Sequence, residues 1–541
     1  MNQTEKTRLL EQIAAIPAME RGKLCPHAAG PSHKLQRWQD GKNHTRHVSA
    51  DERPAVQSAL EGYAHFQQLT GQYADLVIDE TRQNIAGAKK KESIPTEILL
   101  AQEEEIQQLI SRFESEELQG QGVAQLEVLV RTAVFKSANV LVGWLLQKAA
   151  DRADARYQPR AGQTRKGRER IGVQGIFGSF RLERDYYYHP GKDQGHYPAD
   201  AALGLEVGYT PALAKLICLE GADEPAYLKA ERHLEQTGGI VVSARQIQRV
   251  IQRVGGSAQL WQERQSQPGA CAAPVLYVSA DGTGVPMVAK ELKGRRGQQA
   301  DGTARTRQVY LGCVFTQHRT DEKGHPVRDH DSTTYVSSFK SIEEFGPLLR
   351  QEAIGRGMGR AGQVVVLIDG AAGLENMGRL CFKDGLQIVD FYHAMEHAGH
   401  VLEVSIGKTH ADYKKRLRRW ARRLLKDKVE ALIQETRQPC AGTPQEAAVE
   451  QALGYFVRNV SRMRYGTFRA AGLFIGSGVV EAGCKTVIGA RCKQSGMFWS
   501  KPGAENILAL RCIHSSRRSE DFWKYRLNQH ASRNDSLPLA A

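Results

Sequence analysis

The sequence has few of the features that mark secreted, membrane or disulfide-rich proteins. Its nine cysteines, an odd number, include no CxxC pair, so neither a disulfide framework nor a cysteine zinc site is expected. The first residues, MNQTEKTRLLEQ, lack the apolar core of a signal peptide. No apolar run looks long enough to cross a bilayer. We therefore expect a soluble protein in a reducing, intracellular compartment.

The chain has an excess of basic residues. Its 541 residues include 74 Lys and Arg against 60 Asp and Glu, which gives a formal net charge of +14. The length predicts about three or four domains. A basic excess suits a polyanion such as DNA, because each contacted phosphate releases condensed counterions. Many basic proteins bind no nucleic acid, so the charge alone does not decide the function.

The first part of the chain predicts two regions. Residues 1–90 predict a small hairpin-plus-helix module, because Asp40-Gly41 is a strong hairpin turn signal and a helical apolar pattern follows it. This module is either a packing unit or a DNA contact. Residues 91–170 predict two long helices interrupted at Gly120–Gly122 and then a basic loop over 156–170.

Residues 171–270 predict a strand pair followed by a helix-turn-helix-like region. Thr210-Pro211 is a helix start signal, and Ser243 with Gln246 forms a capping box at the start of a later helix. On that later helix, arginines recur every fourth residue on a face separate from its apolar stripe: Arg245, Arg249 and Arg253. The pattern is typical of a recognition helix, and the alternative is a helix with a solvated charged face.

The second half of the chain alternates between predicted strands and helices. Asp281 follows an apolar run that predicts a first strand, and Asp369 ends the buried-type strand 364–368. Between them lie two more predicted strands, 308–317 and 333–339, and then a helix. This order is expected of an RNase-H-like sheet. In such a sheet Asp281 lies on the central strand and Asp369 at the tip of the fourth strand.

Two aspartates at neighbouring strand ends repel each other unless a divalent cation binds. Mg²⁺ prefers oxygen ligands, and a third acid on a helix packed against the sheet would complete the site. Glu481 is the candidate, because Gly476-Ser477-Gly478 precedes a predicted helix that contains it. The interval from Asp369 to Glu481 is 112 residues, too long for an ordinary connection. Its basic amphipathic stretch predicts an inserted helical subdomain at about 400–470.

Four motifs occur in order along this half: SADGTGVP at Asp281, LIDGAAGLE at Asp369, DFYHAMEH at Asp390, and GSGVVEAGCK with RCKQSGMFW around Glu481. In these motifs the chain resembles the bacterial insertion-sequence DDE transposases related to the Mutator-like superfamily, over roughly residues 170–515. The resemblance implies a multidomain α+β chain with an RNase-H-like α/β catalytic core. It also implies a catalytic, metal-binding triad: Asp281, Asp369 and Glu481. Each aspartate taken alone is better explained as a turn former.

A second motif overlaps the third of these segments. Asp390 and His393 form a DxxH pair, which the resemblance places near the catalytic site, and the alternative is a structural histidine at a strand end. His393, Glu396 and His397 also spell HxxEH, the inverted zinc-protease motif. Its two histidines, one helical turn apart, could bind Zn²⁺. A zinc protease would leave the acidic triad unexplained.

The segment after Glu481 is basic and contains an aromatic residue. Cations and an aromatic ring beside a phosphoryl-transfer site suit a DNA backbone and an unstacked base. The candidate DNA-binding residues of this segment are Arg491, Lys493, Gln494 and Trp499. The alternative is a basic surface turn with a packing tryptophan.

The resemblance also implies a cofactor and partners. The cofactor would be Mg²⁺, with Mn²⁺ as a substitute, and the partner would be DNA, both the terminal inverted repeats of the element and the target. Joining two DNA ends implies at least a homodimer in a bacterial cytoplasm, associated with the nucleoid on DNA and without a membrane partner. Relatives often carry cysteines after the strand at 171–189, where this chain has only His189 and His196. That difference argues against bound zinc.

The function expected from these observations is metal-dependent DNA cleavage and strand transfer at the ends of an insertion sequence. Residues 271–515 would form the catalytic domain, and 516–541 would form a C-terminal tail. Three alternatives remain open at this point: a nuclease of the same fold that does not join strands, a noncatalytic DNA-binding protein derived from a transposase, and the zinc protease.

Overall fold

The structure is a computed structural model. It describes residues 2–26, 32–88, 96–115, 120–190, 194–264, 272–297, 299 and 302–535. Contacts divide the chain into two compact units, Met1–Glu103 and Glu104–Ala541. The helix α3 (Thr96–Ser115) crosses the division.

The first unit contains a three-stranded antiparallel sheet in the order β1-β2-β3. Its elements are α1 (Asn2–Ala14), β1 (Lys23–Pro26), β2 (His33–Gln39), β3 (Lys42–Val48) and α2 (Arg53–Ala88). Asp40 and Gly41 connect β2 to β3 with φ angles of 51° and 74°, and two positive φ angles are typical of a tight hairpin turn. The predicted hairpin is therefore confirmed, and the predicted helix after it is α2.

The second unit begins with a long helix and a strand hairpin, followed by a group of helices. These elements are α4 (Gly120–Arg156), β4 (Thr164–Gly175), β5 (Gly178–His189), β6 (Gln194–His196), α5 (Pro198–Ala202), α6 (Pro211–Asp223), α7 (Tyr227–Gly238) and α8 (Ala244–Glu263). The helix break predicted at Gly120–Gly122 is misplaced, because these residues form the first turn of α4.

The basic loop predicted at 156–170 is wrong for its second half, which belongs to β4. Apolar alternation is absent there, but the arginines form ion pairs with acids on β5. Arg165 Nε lies 2.7 Å from Asp185 Oδ2, and Arg170 Nε lies 2.5 Å from Glu183 Oε1. Opposite charges on facing strands stabilise the pairing, so a stretch with a loop-like composition forms a strand.

By length and composition alone, α4 could cross a membrane over Gly122–Arg156, contrary to the sequence-based expectation. One face of this helix is occupied by protein. Asn139 Nδ2 donates to the Ser179 carbonyl at 2.8 Å, and Gln147 Nε2 donates to the Glu183 carbonyl at 2.9 Å. Gly143 packs on the ring of Phe180. Part of its apolar character therefore serves packing against the β4–β5 hairpin.

The helix starts predicted at Thr210-Pro211 and at Ser243 are confirmed, but the predicted capping box is only half formed, because Gln246 Oε1 has no hydrogen-bond partner among the described residues. The Thr210 side chain accepts a hydrogen bond from Leu213 N at the start of α6, and the Ser243 side chain accepts one from Gln246 N at the start of α8. These bonds satisfy backbone donors that have no partner inside the first turn. The apolar stripe of α8 is buried at Ile247, Val250, Ile251 and Val254.

A five-stranded sheet forms the centre of the second unit. Its segment contains β7 (Val275–Pro286), α9 (Ala289–Leu292), β8 (Thr306–Gln317), β9 (Arg319–Thr320), β10 (Pro326–Val327), β11 (Thr334–Ser338), α10 (Ile342–Gly355), a 3₁₀ turn (Met358–Arg360), β12 (Gln363–Ile368), α11 (Ala372–Cys381) and β13 (Leu386–Val389). The strand order is β11-β8-β7-β12-β13. β8 is antiparallel to β7 and β11, whereas β12 is parallel to β7 and β13.

The two faces of this sheet have separate cores. Alternate residues of β7, such as Leu276 and Val278, pack with α10 and α11 on one face. Tyr277, which points the opposite way, belongs to a larger core on the other face, together with α8, α12 and α19. This alternation is the period-two pattern of strands buried on both sides.

Helices make up most of the rest of the chain. They are α12 (Phe391–Ile406), α13 (Tyr413–Leu424), α14 (Val429–Cys440), α15 (Glu446–Asn459), a 3₁₀ turn (Val460–Arg462), α16 (Tyr465–Ala470), α17 (Gly478–Gly483), a π-helical segment (Cys484–Gly489), α18 (Ala490–Cys492), α19 (Lys501–Ser515) and α20 (Ser519–Asp535). β13 ends at Val389, because Asp390 caps α12. The inserted helical region therefore begins earlier than predicted.

The predicted C-terminal tail is wrong for residues 519–535, which form α20. Arg526 and Glu206 are only 6% and 1% exposed, and Arg526 Nε donates to Glu206 Oε1 at 2.8 Å. Arg526 also donates to Ser257 Oγ on α8. A buried, hydrogen-bonded ion pair thus anchors α20 to segments some 270 and 320 residues earlier in the chain.

We expect Arg526→Ala to lower the free energy of unfolding by about 3–5 kcal/mol, because it leaves the buried Glu206 carboxylate without its main partner. Urea denaturation followed by circular dichroism measures the change. Arg419→Ala is the control, since Arg419 is 56% exposed in its ion pair with Glu435 and such pairs contribute at most about 1 kcal/mol. Equal losses in the two variants would contradict the expectation.

Candidate active site

Asp281 lies on β7, and Asp369 directly follows the neighbouring parallel strand β12. β7 and β12 are paired in register, with Ser279 opposite Leu367. Ser279–Leu367 is the last paired position, and Asp281 and Asp369 each lie two residues beyond it. Neighbouring strands lie about 4.8 Å apart where they are paired. The two aspartates therefore lie at the same end of the parallel strand pair.

Asp281 lies on the sheet face against which the Glu481 helix packs. Leu311 of β8 pairs with Asp281 and lies in the larger core, and directly paired residues point to the same face. A Cβ on Gly483 of α17 would come within 2.9 Å of the Leu311 side chain. Gly483 is two positions after Glu481, so α17 packs beside the part of the sheet that carries Asp281, and the Glu481 side chain itself is exposed.

Glu481 sits in a short helix that continues through an irregular turn. The Ser477 hydroxyl, just before α17, donates to Glu481 Oε1 at 3.0 Å. The next segment, Cys484–Gly489, is π-helical before α18 resumes the α-helical pattern. π-helical insertions of this kind are rare and frequent at functional sites. This one changes the direction in which the helix presents the side chains that follow Glu481.

Each acid of the candidate triad is oriented by a hydrogen bond from its own element. Gly282 N donates to Asp281 Oδ1 at 2.6 Å, and Ala371 N donates to Asp369 Oδ1 at 2.8 Å. A carboxylate has about four lone-pair positions, so such bonds leave room for a cation. Because hard divalent cations prefer oxygen ligands, this donor set fits Mg²⁺.

The Cys484 thiol is a neighbour of Asp281 that the sequence analysis missed. It lies one turn after Glu481 and is hydrogen-bonded to the Asp281 carboxylate. Burial and the charge of Asp281 raise the pKa of the Cys484 thiol. The thiol therefore stays protonated and acts as a donor. Its position three residues after Glu481 is the signal that could have indicated it.

The three candidate acids do not form a tight ligand cluster in the described structure. Within the described part of the chain, three metal-binding side chains have their ligand atoms all within 4.8 Å of one another only at Glu220, Glu224 and His233. These three residues lie on and between α6 and α7, and His233 Nδ1 is 2.5 Å from Glu220 Oε2. A two-metal site has ions about 3.5–4 Å apart, so its acids need not meet so tightly.

Asp390 joins the end of β13 to the loop that precedes Glu481. It is 1% exposed. Its Oδ1 accepts a hydrogen bond from His393 N at 2.6 Å and thereby caps α12, and its Oδ2 accepts one from Ser477 N. Asp390 therefore accepts hydrogen bonds from two backbone N–H groups that are 84 residues apart in sequence. It positions the start of the Glu481 helix.

The HxxEH residues lie on α12. His393 Nδ1 lies 3.5 Å from Glu396 Oε2, whereas the His397 ring stacks on Tyr455, with ring centroids 3.6 Å apart. Burial, together with nearby His393 and His400, lowers the pKa of His397. Among the described residues no close group of three ligands includes these histidines, so the geometry gives no support to a zinc protease.

The prediction that Arg491 and Trp499 contact DNA is wrong. Arg491 is 0% exposed and Trp499 is 7% exposed. The Arg491 guanidinium lies 4.4 Å from the Tyr227 ring centroid and 5.0 Å from that of Trp499. It donates to the carbonyls of Gly221 and Pro225. Contacts with the two rings and hydrogen bonds to the two carbonyls offset the cost of burying this cation. These interactions hold the connection between α6 and α7 in place.

Lys493 and Gln494, from the same segment, are exposed. Lys493 Nζ donates to the Thr283 hydroxyl on β7, two residues after Asp281, so it adds a positive charge close to the candidate triad. Gln494 Nε2 donates to the Ala490 carbonyl at 2.7 Å. Of the four predicted DNA-binding residues here, these two remain accessible.

The arginines of the predicted recognition helix are also accessible. Arg245, Arg249 and Arg253 are exposed on α8, while the apolar stripe of that helix is buried. Arg253 Nε lies 3.5 Å from the buried Glu206 Oε2 and is still 65% exposed. The arrangement leaves a positively charged helix face open to solvent.

Comparison with known proteins gives little direct guidance. No family model matches the chain, and no curated protein matches it. Among solved structures, the chain is similar to the Drosophila P element transposase strand transfer complex, with 11% sequence identity, coverage of 60% of this chain and 81% of that chain, and a TM-score of 0.23. A TM-score this low does not establish a shared fold.

We expect Asp390→Asn to reduce the free energy of unfolding by about 1–3 kcal/mol, because an amide group turned toward one of two buried N–H donors leaves that donor unsatisfied. Amide exchange at Ser477 should also become faster. Urea denaturation and hydrogen–deuterium exchange measure the two effects. Asp384→Asn, at an exposed turn, is the control and should change neither. Unchanged exchange at Ser477 in Asp390→Asn would count against the tethering role.

Proposed function

We propose that the chain is a transposase that cleaves DNA and transfers strands at the ends of a mobile element. The observation that most supports the proposal is that Asp281 and Asp369 both lie two residues beyond the last paired position of β7 and β12, at the end of the sheet beside which the Glu481 helix packs. Three acids from two strands and one helix are the donor set of a metal-dependent phosphoryl-transfer site. The DDE motifs that the sequence resembles fall on these same residues.

The sheet supports an RNase-H-like core within this proposal. Three sequential antiparallel strands, β7, β8 and β11, occupy one side, and β12 and β13 extend the sheet in parallel on the other. Helices cover both faces. The acids would then occupy the central strand, the tip of the fourth strand and a helix packed on the sheet, as expected from the sequence.

The proposed cofactor is Mg²⁺, with Mn²⁺ as a substitute. Asp281 would contact two ions, and Asp369 and Glu481 would each hold one, with carboxylate oxygens about 4–8 Å apart as a two-metal site requires. Bound ions would lower the pKa of water and stabilise the charge on the reacting phosphate. Lys493, held near Asp281 by Thr283, would contact a DNA phosphate there.

The proposed substrate is DNA, recognised away from the reacting centre. The formal net charge of +14 favours binding to a polyanion. Arg245, Arg249 and Arg253 would contact the terminal repeats, because arginine forms bidentate hydrogen bonds with guanine edges and phosphates. Two ends must be joined, so at least two copies would act together.

Replacing a metal ligand tests the chemistry. We expect Asp369→Asn to lower cleavage of end-containing DNA by at least about two orders of magnitude, because bound ions supply several kcal/mol of transition-state stabilisation. Binding of the ends should remain nearly unchanged. Asp412→Asn, at an exposed position, is the matched control. If Asp369→Asn cut DNA at a rate close to wild type, Asp369 could not hold the metal. A wild type that cuts without joining would be a nuclease.

Removal of the α8 arginines tests DNA recognition. We expect Ala at Arg245, Arg249 and Arg253 to weaken binding to the element ends and to flatten its log–log salt dependence by up to about 0.9 per lost phosphate contact. Fluorescence anisotropy at several salt concentrations measures both. The control removes equal charge from exposed positions elsewhere: Arg350, Arg360 and Lys383. An affinity and salt slope like those of this control would mean that α8 does not read DNA.

A further inference from the structure

The backbone of Asp369 is held by a residue from the inserted helical region. Asp369 stands one residue beyond β12, where strand pairing no longer fixes the chain. The Tyr455 hydroxyl, on α15, donates to the Asp369 carbonyl oxygen at 2.7 Å. The two residues are 86 positions apart, so this bond is a tertiary contact between the insertion and the edge of the sheet.

Tyr455 is itself fixed in place. Its side chain is 6% exposed. One ring face stacks on His397, with the planes 13° apart, and the Phe456 ring meets it edge-on. A ring packed on two sides cannot swing its hydroxyl away without breaking those contacts. The hydroxyl is therefore a rigid anchor for the carbonyl that it binds.

The turn after Asp369 leaves room for the Tyr455 hydroxyl. Gly370 has a φ of +81°, and a Cβ at this position would lie 2.9 Å from the Tyr455 hydroxyl oxygen. Glycine thus meets two demands at once, a left-handed backbone and close approach by a side chain. Next in the turn, Ala371 N binds Asp369 Oδ1. Anchor, turn and carboxylate form one connected unit.

A second contact from the insertion holds the far end of the same segment. Arg462, the last residue of the 3₁₀ turn after α15, has its Nη2 2.8 Å from Glu375 Oε1 on α11 and is 11% exposed. Tyr455 and Arg462 therefore hold the segment from Asp369 to Glu375 near its two ends. Of these two contacts, only the Tyr455 bond reaches the residue that carries the candidate metal ligand.

We propose that Tyr455 is a positioning residue that sets the affinity of the catalytic site for divalent cations by fixing the backbone of Asp369. This inference rests on the proposed function, because the cation is the one that the acidic triad would hold. Tyr455 contacts the main chain of Asp369 and no reacting atom. Its removal should change how tightly the cation binds and leave the chemistry at saturating cation intact.

The test compares Tyr455→Phe with Tyr465→Phe in the full chain. Tyr465 is a matched control from the same region, because it is 0% exposed and, among the described residues, its hydroxyl has no hydrogen-bond partner. Mn²⁺ affinity is measured by isothermal titration calorimetry. Tyr455→Phe should weaken it by about 2- to 12-fold, the range for one hydrogen bond, and Tyr465→Phe should leave it unchanged.

A kinetic readout separates positioning from a merely structural role. In Tyr455→Phe, the Mg²⁺ concentration for half-maximal cleavage should rise by the same factor, while the rate at saturating Mg²⁺ should stay within about twofold of wild type. Thermal melting checks that both variants fold. Gly370→Ala gives an independent route, because the added Cβ must displace either the hydroxyl or the backbone. It should raise the Mg²⁺ requirement in the same direction.

The outcomes distinguish failure of this inference from failure of the proposed function. If Asp369→Asn weakens Mn²⁺ binding and Tyr455→Phe binds Mn²⁺ as tightly as wild type, the positioning role is refuted and the metal site stands. If Tyr465→Phe weakens binding as much as Tyr455→Phe, the effect is general loss of packing and the inference also fails. If Asp369→Asn binds Mn²⁺ like wild type, the metal site itself is wrong.

Discussion

The parallel pairing of β7 with β12 is the constraint on which the candidate site depends. It brings Asp281 and Asp369 to the same end of two adjacent strands. Carboxylates close to each other repel when both are ionised, and the repulsion grows as the distance between them falls. Neither carboxylate is fully buried, so solvent screens part of this repulsion. In the proposed function, a divalent cation bound by both aspartates would offset the remaining repulsion.

Buried polar side chains connect this sheet edge to distant segments. Arg511 on α19 shows the principle: its Nε donates to the Val487 carbonyl at 2.6 Å and its Nη2 to the Thr486 carbonyl at 2.5 Å. Both carbonyls belong to the π-helical segment after Glu481, whose irregular hydrogen bonding leaves backbone acceptors free for other partners. A buried acceptor without a partner is destabilising. Arg511 therefore stabilises the π-helical segment that follows Glu481.

Features set by local chemistry could be predicted from the sequence, and features set by distant partners could not. The Asp40-Gly41 turn and the Ser243 cap depend on residues within one turn of each other, and both were predicted. Burial of Arg491 depends on Tyr227, 264 residues earlier, and on the carbonyls beside it. Nothing in the local pattern of a basic turn indicates such partners. The basic half of β4 could not be predicted for the same reason, because the acids that stabilise it lie on β5.

The same distinction explains why the site residues could be found from the sequence and the residues that hold them in place could not. Asp281 and Asp369 end apolar runs, which is a local signal, whereas Tyr455 is one apolar position among many in α15. Closing a long insertion is entropically inexpensive, since each doubling of loop length adds only about 0.6 kcal/mol, so the insertion needs no role to be tolerated. Its contacts argue that it has one. Tyr455 reaches Asp369, and Arg462 reaches Glu375. Burying polar side chains is costly unless they find hydrogen-bond partners. Two nearly buried polar side chains of the insertion nevertheless contact the same seven-residue segment, which begins with the candidate metal ligand. A passive spacer would not need these contacts.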